Sequence, residues 1–180
     1  MPSVACISGS PRRNGNTHFC ADLVASTLRA AGAGVEHFNL VDHTIKRCAG
    51  CRECMRLMRC AIQDDEFQPI MDAVLDADIL ALAAPVYWNG PPGIMKDFID
   101  RTHGYYACSG VLDGTSAYLL SVATASGFET HEDIMGSWLT AYGATVKGRL
   151  RVRAREKDDV RNDPARRAEV EAFARKMLDS

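Results

Sequence analysis

Short apolar runs alternate along this chain with segments of helical spacing, and that alternation restricts the fold more than any other feature. Val4-Ala5-Cys6-Ile7 is apolar and is stopped by Ser8-Gly9-Ser10-Pro11, the mark of a short buried strand. Residues 17–31 place Phe19, Leu23, Val24, Thr27 and Leu28 at helical spacing, with Gly32 and Gly34 as stop signals. Further strands are predicted at 35–41, 79–84, 116–123 and 145–152, and further helices at about 64–75, 94–100, 131–142 and 164–178. Strands alternating with helices imply a parallel α/β sheet covered on both faces. Five strands in 180 residues fit a doubly wound sheet of order 2-1-3-4-5, expected to form a single domain over residues 1–180.

Composition excludes several classes. With 47% hydrophobic and 24% charged residues, the chain is neither disordered, nor collagen-like, nor a small disulfide scaffold. Its 21 basic and 23 acidic residues leave a charge of −2, which predicts neither nucleic acid nor an anionic membrane as partner. The longest apolar candidate, residues 74–86, is interrupted by Asp76 and Asp78. It falls short of the roughly 18–20 residues of a membrane span. Only four apolar residues follow Met1-Pro2-Ser3, too few for a secretory signal, so a cytoplasmic protein is expected. The Arg- and Asp-rich stretch 149–167 reads as solvated surface.

Ser8-Gly9-Ser10-Pro11-Arg12-Arg13-Asn14-Gly15-Asn16-Thr17 joins the first strand to the first helix. A dianionic phosphate placed there would meet unpaired backbone N–H groups and the positive end of a helix dipole. Ser10, Asn14, Asn16 and Thr17 add side-chain donors, and Arg12 a full charge. The competing reading is a plain turn with Asn16 or Thr17 as helix cap. Position after the first strand of a doubly wound sheet favours the phosphate. Neither G-x-G-x-x-G nor G-K-[ST] is present.

Two later loops leave the same carboxyl edge. In Ala84-Pro85-Val86-Tyr87-Trp88-Asn89-Gly90-Pro91-Pro92-Gly93, the rings of Tyr87 and Trp88 and the surrounding amides suit a heterocycle, with ordinary packing aromatics as the alternative. In Thr124-Ala125-Ser126-Gly127, small residues allow close approach to a ring. Ile7-Ser8-Gly9-Ser10-Pro11-Arg12 with Asn14-Gly15-Asn16-Thr17 resembles the phosphate loop of the flavodoxin-like NADPH-dependent FMN reductase family. Pro85-Val86-Tyr87-Trp88, followed by Met95-Lys96-Asp97-Phe98-Ile99-Asp100-Arg101, is similar to that family's flavin-ring loop and helix. The likeness covers about residues 4–127. It implies a flavodoxin-like fold with FMN, its phosphate on the first loop and its ring between the other two. The implied cofactor-binding residues are Ser10, Arg12, Asn14, Asn16, Thr17, Pro85, Val86, Tyr87, Trp88, Asn89, Thr124, Ser126 and Gly127. It also implies a homodimer or homotetramer with flavin near the subunit interface.

Seven cysteines are the compositional anomaly, and four of them, Cys48, Cys51, Cys54 and Cys60, lie in an insert at about 46–62, after the second strand. The spacing C-x2-C-x2-C-x5-C is compact enough to wrap one metal centre. With no second cysteine-rich run it favours a [4Fe-4S] cluster over zinc, while free or redox-active thiols remain a third reading. It resembles the iron–sulfur flavoprotein branch of the same group, which implies a cluster beside FMN with electron transfer between them. Arg47, Arg52, Arg56 and Arg59 would add positive charge near these thiols. Cys6, Cys20 and Cys108 read as structural.

The resulting expectation is a flavin-dependent oxidoreductase. It takes electrons from NAD(P)H or an iron–sulfur or protein donor and passes them to a quinone, a flavin, a metal or a protein acceptor. No side chain is assigned as acid or base, since the cofactor carries the chemistry. His103, Tyr105 and Tyr106 are candidates to line an acceptor pocket. The alternatives are a plain reductase without a cluster, a zinc-folded module, and a non-enzymatic flavodoxin-type electron carrier. Such carriers tend to be strongly acidic, which this chain is not.

Overall fold

The computed structural model describes residues 1–179; Ser180, the last residue of the expected domain, lies outside them. Five parallel strands, β1 (Ser3–Ser8), β2 (Gly34–Asn39), β3 (Ile79–Pro85), β4 (Ser116–Ala123) and β5 (Thr145–Arg153), lie in the order β2-β1-β3-β4-β5. This is the flavodoxin-like arrangement that the alternation predicts, with the cysteine segment after β2. The central strands are buried almost throughout, as a sheet covered on both faces requires. Edge strand β2 alternates between exposed and half-buried residues.

Side-chain alternation divides the interior into two cores. Ala5, Ile7, Leu80, Leu82 and Leu119 face α3 (Phe67–Leu75), α4 (Gly93–Arg101) and α5 (Phe128–Ala141), meeting Phe67, Phe98 and Leu139. Val4, Cys6, Ala81, Tyr118 and Leu120 face α1 (Asn16–Ala30) and α7 (Pro164–Lys176), meeting Val24, Leu28 and Val170. Helix α7 starts on Asp163, whose carboxylate accepts from the amides of Ala165 and Arg166, with Pro164 at its first position. The remaining helices, α2 (Cys54–Leu57) in the cysteine segment and α6 (Asp159–Asn162), are single turns.

Three expectations change. Helix α3 begins at Phe67 rather than at Asp64, because both aspartates are engaged elsewhere: Asp64 with Lys46, and Asp65 with Arg101 and the Phe67 amide. Helix α5 starts three residues early, at Phe128, directly after Gly127 in the left-handed region (φ 91°). The stretch 149–167 is not simply solvated surface. Leu150, Val152, Ala154 and Val160 are buried, and Arg151 pairs with Glu132 at 2.8 Å.

Candidate functional site

The loops after β1, β3, β4 and β5 meet at the carboxyl edge of the sheet, where open α/β sheets place their ligands. They enclose a cavity of about 330 Å³. The β1–α1 loop contributes Ser10, Arg12, Asn14, Gly15, Asn16 and Thr17, and β3 contributes Pro85, Val86 and Tyr87. Val122, Ala123 and Thr124 come from the end of β4. Nine of the thirteen residues named from sequence therefore share one cavity wall.

Local chemistry explains the shape of the first loop. The Ser10 hydroxyl donates to the Arg12 carbonyl at 3.1 Å and accepts from the Arg12 amide at 3.2 Å, so this side chain folds the loop. Gly9 lies against α4: an added Cβ would fall 2.7 Å from Met95 Cβ. No side chain caps α1, which leaves the amides of its first turn directed at the cavity end. Arg13 turns away to Asp42, 2.6 Å distant.

Four sequence-named residues stand apart from the cavity. Trp88 and Asn89 occupy the two central positions of a tight turn, at φ 50° and 62°, closed by hydrogen bonds between Tyr87 and Gly90. That turn carries the Trp88 indole fully into solvent. Gly127 lies beneath it, where an added Cβ would fall 2.4 Å from Asn89 Oδ1. Ser126 lines a separate depression with Arg151 and Arg153. Two of the expected donors also have other work: Ser10 in its own loop, and Asn16 in bonds to Glu156 and Val160.

Arg155, Glu156 and Lys157 complete the cavity wall, and the sequence reading missed them. They lie inside the charged stretch, and the strand period of β5 running into it was the one available signal. His103 and Tyr106 line not this cavity but another, with Cys48 and Cys54, while Tyr105 is buried and donates to Gln68.

The lining is chemically divided. Pro85, Val86, Val122, Ala123 and the Tyr87 ring are apolar or aromatic, whereas Arg12, Arg155, Lys157 and the start of α1 are positive. An apolar heterocycle with an anionic tail fits such a donor set, and FMN is a molecule of that kind.

The four insert cysteines do not form a comparable cage. Cys48 and Cys51 are exposed, Cys54 is half-buried and Cys60 is buried. Cys60 Sγ accepts a hydrogen bond from Arg101 Nε at 2.8 Å. Among the described residues no three His, Cys, Asp or Glu side chains are grouped to hold a metal ion. The four nonetheless lie near one another, since burial and the neighbouring charges of Cys60, Cys51 and Cys48 all raise the Cys54 thiol. Burial raises the thiols of Cys6 and Cys20 to about 12, consistent with inert packing.

Known proteins extend these observations. The chain is 32% identical over 96 residues to an iron-sulfur flavoprotein of Archaeoglobus fulgidus, covering 53% of this chain and 46% of that protein. A second iron-sulfur flavoprotein, from Methanosarcina thermophila, is 27% identical over 147 residues, covering 79% and 75%. The chain thus spans about half the length of the first of these relatives. The apo form of an NADH:FMN oxidoreductase superposes with a TM-score of 0.71 at 19% identity, over 98% of this chain and 88% of that one. An NAD(P)H:quinone oxidoreductase from Methanothermobacter marburgensis gives 0.69 at 20% identity, over 96% and 92%. At those identities the two structures bear on the fold alone. Residues 2–157, which include every strand of the sheet, match the profile of one family, and the chain accordingly belongs to the NADPH-dependent FMN reductase family.

Proposed function

We propose that this chain is an FMN-dependent oxidoreductase that moves electrons from NAD(P)H to a small acceptor such as a quinone or a free flavin. The observation that carries this reading is the divided cavity, cationic at the start of α1 and apolar or aromatic beside β3 and β4. FMN, when bound, supplies the hydride and electron chemistry. The chain's own residues bind and orient. The uncapped amides of α1, with Asn14 and Thr17, receive the phosphate. Val86 and Tyr87 offer one wall to the ring and Ala123 and Thr124 another. With the buried β3 and β4 ends behind them, these residues keep water from one side of the site.

A homodimer or homotetramer is proposed as the assembly, with the exposed Trp88 turn next to the subunit contact. No helix among the described residues is long and apolar enough to cross a membrane. All seven cysteines are free thiols, which supports a reducing compartment such as the cytoplasm.

A second reading adds a [4Fe-4S] cluster on Cys48, Cys51, Cys54 and Cys60. It is supported by the cysteine spacing and by the family branch of the relatives, and a ligating Cys60 sulfur could keep its hydrogen bond from Arg101. Iron and acid-labile sulfide in anaerobically purified protein decide it. About four of each per chain establish the cluster, and neither leaves a plain reductase.

The main reading is tested by titrating apo-protein with FMN and then following NADH and NADPH oxidation with a soluble quinone. Saturable binding of one FMN per chain and turnover are expected. Absence of FMN binding overturns the reading, and binding without turnover supports an electron carrier instead.

A further inference from the structure

The loop between β5 and α6 is tied to the opening of α1 from 140 residues away in sequence. Asn16 Nδ2 donates to the Glu156 carbonyl at 2.8 Å, and Asn16 Oδ1 accepts from the Val160 amide at 3.2 Å. Both ends of one side-chain amide thus hold a single loop. Asp159 Oδ2 closes that loop on itself, accepting from the amides of Arg155 (2.8 Å) and Glu156 (3.0 Å). This tether places Arg155, Glu156 and Lys157 on the same cavity wall as Arg12, Asn14 and Gly15.

Charge pairing around the loop is selective. Arg13 pairs with Asp42, Arg151 with Glu129 and Glu132, and Arg161 with Asp158. The side chains of Arg12, Arg155 and Lys157 make no ion pair among the described residues. The cations on the wall outnumber the one carboxylate there, Glu156. Unpaired cations converging on a cavity beside a helix N-terminus are placed for an anion.

We propose that Arg155 and Lys157 are binding residues for the terminal phosphate of the flavin nucleotide, and that Asn16 is the positioning residue that pins their loop at the phosphate end. This deepens the FMN reading and rests on it. The β1–α1 loop brings neutral donors and the single charge of Arg12. The second, cationic arm makes the site discriminate a phosphorylated flavin from riboflavin.

Fluorescence titration of apo-protein with FMN and with riboflavin tests the proposal in wild type, in the double variant Arg155→Ala/Lys157→Ala, and in Asn16→Ser. The double variant alters exposed side chains and keeps the fold. Its FMN Kd is expected to rise at least about tenfold. Riboflavin binding stays unchanged, and added salt weakens FMN binding less steeply than in wild type. Asn16→Ser shifts the FMN-to-riboflavin ratio in the same direction with unaltered far-UV circular dichroism; if it does not fold, the double variant decides alone. Wild-type FMN affinity in the double variant overturns the proposal and leaves the FMN reading standing. So does unchanged FMN affinity with a raised KM for NADPH, which assigns the loop to the nicotinamide nucleotide. Failure of wild type to bind FMN overturns both.

Discussion

Arg101 Nε donates to the sulfur of Cys60 at 2.8 Å, across 41 residues of sequence. The rest of the guanidinium is as fully engaged, with Asp65 Oδ2 at 2.6 Å, the Lys46 carbonyl at 2.7 Å, the Ile62 carbonyl at 2.9 Å and the Phe67 ring 4.5 Å from Cζ. One side chain of α4 therefore buckles both ends of the cysteine segment to the body of the protein. The arginines adjacent to the cysteines in sequence do not do this: Arg47 turns to Asp97 and Arg56 to Glu53. The difference between Cys60 and the other three insert cysteines follows from this buckle.

Removing one partner of a buried pair leaves the other charge stranded. Arg101 and Asp65 are 0% and 1% exposed, so Arg101→Met should cost about 3–5 kcal/mol of stability, read by urea unfolding. Adding Asp65→Leu should restore much of that loss. A double variant no more stable than the single one would show that the buckle acts other than through its charges.

Stability should fall in two stages on acidification. Burial lowers His37 and His131 below the ordinary 6.5, with Asp22 partly opposing for His37, and Gly90 and Glu132 for His131. The unfolded chain then binds more protons, and stability is lost as pH drops below 6.5. For Asp65, burial raises the carboxyl, but the bonds from Arg101 and from the amides of Lys46 and Phe67 outweigh it and hold it below 3.8. That contribution is present above 3.8 and is lost as pH falls further. Urea midpoints recorded against pH should show both stages, and His131→Leu should flatten the upper one.

At the proposed ring end, Gly127→Ala puts a side chain at φ 91° and a Cβ 2.4 Å from Asn89 Oδ1. The backbone strain alone should cost about 1–2 kcal/mol, and the Tyr87–Gly90 turn must shift. FMN and riboflavin should weaken together in fluorescence titrations, in contrast to changes at Arg155 and Lys157. Selective loss of FMN alone would contradict the division of the cavity.

Trp88 is fully exposed and held at φ 50°, a backbone region that glycine adopts without strain. Trp88→Gly should leave stability within about 0.5 kcal/mol, because relief of strain and the entropy of a more flexible unfolded chain oppose each other. If the indole packs between subunits as proposed, sedimentation velocity should show the variant dissociating at concentrations where wild type associates. Identical sedimentation of the two would remove Trp88 from the interface.

The sequence alone determined the strand order and the three loops at the carboxyl edge. Apolar periodicity, glycine and proline punctuation and the crossover connections act over a few residues at a time and survive in one dimension. The polar β1–α1 loop that lines the cavity was legible for the same reason, since its residues are neighbours in the chain. Tertiary structure decided what those side chains do. Asn16, named as a ligand donor, serves as a tether because α6 is brought against α1. Arg155 and Lys157, which read as solvated charge, reach the cavity through that tether. Cys60 is held by a hydrogen bond from an arginine on a distant helix. Each is a hydrogen bond or charge placement between residues far apart in the chain, and no local pattern encodes which distant partners the packing of helices on a sheet will bring within 3 Å.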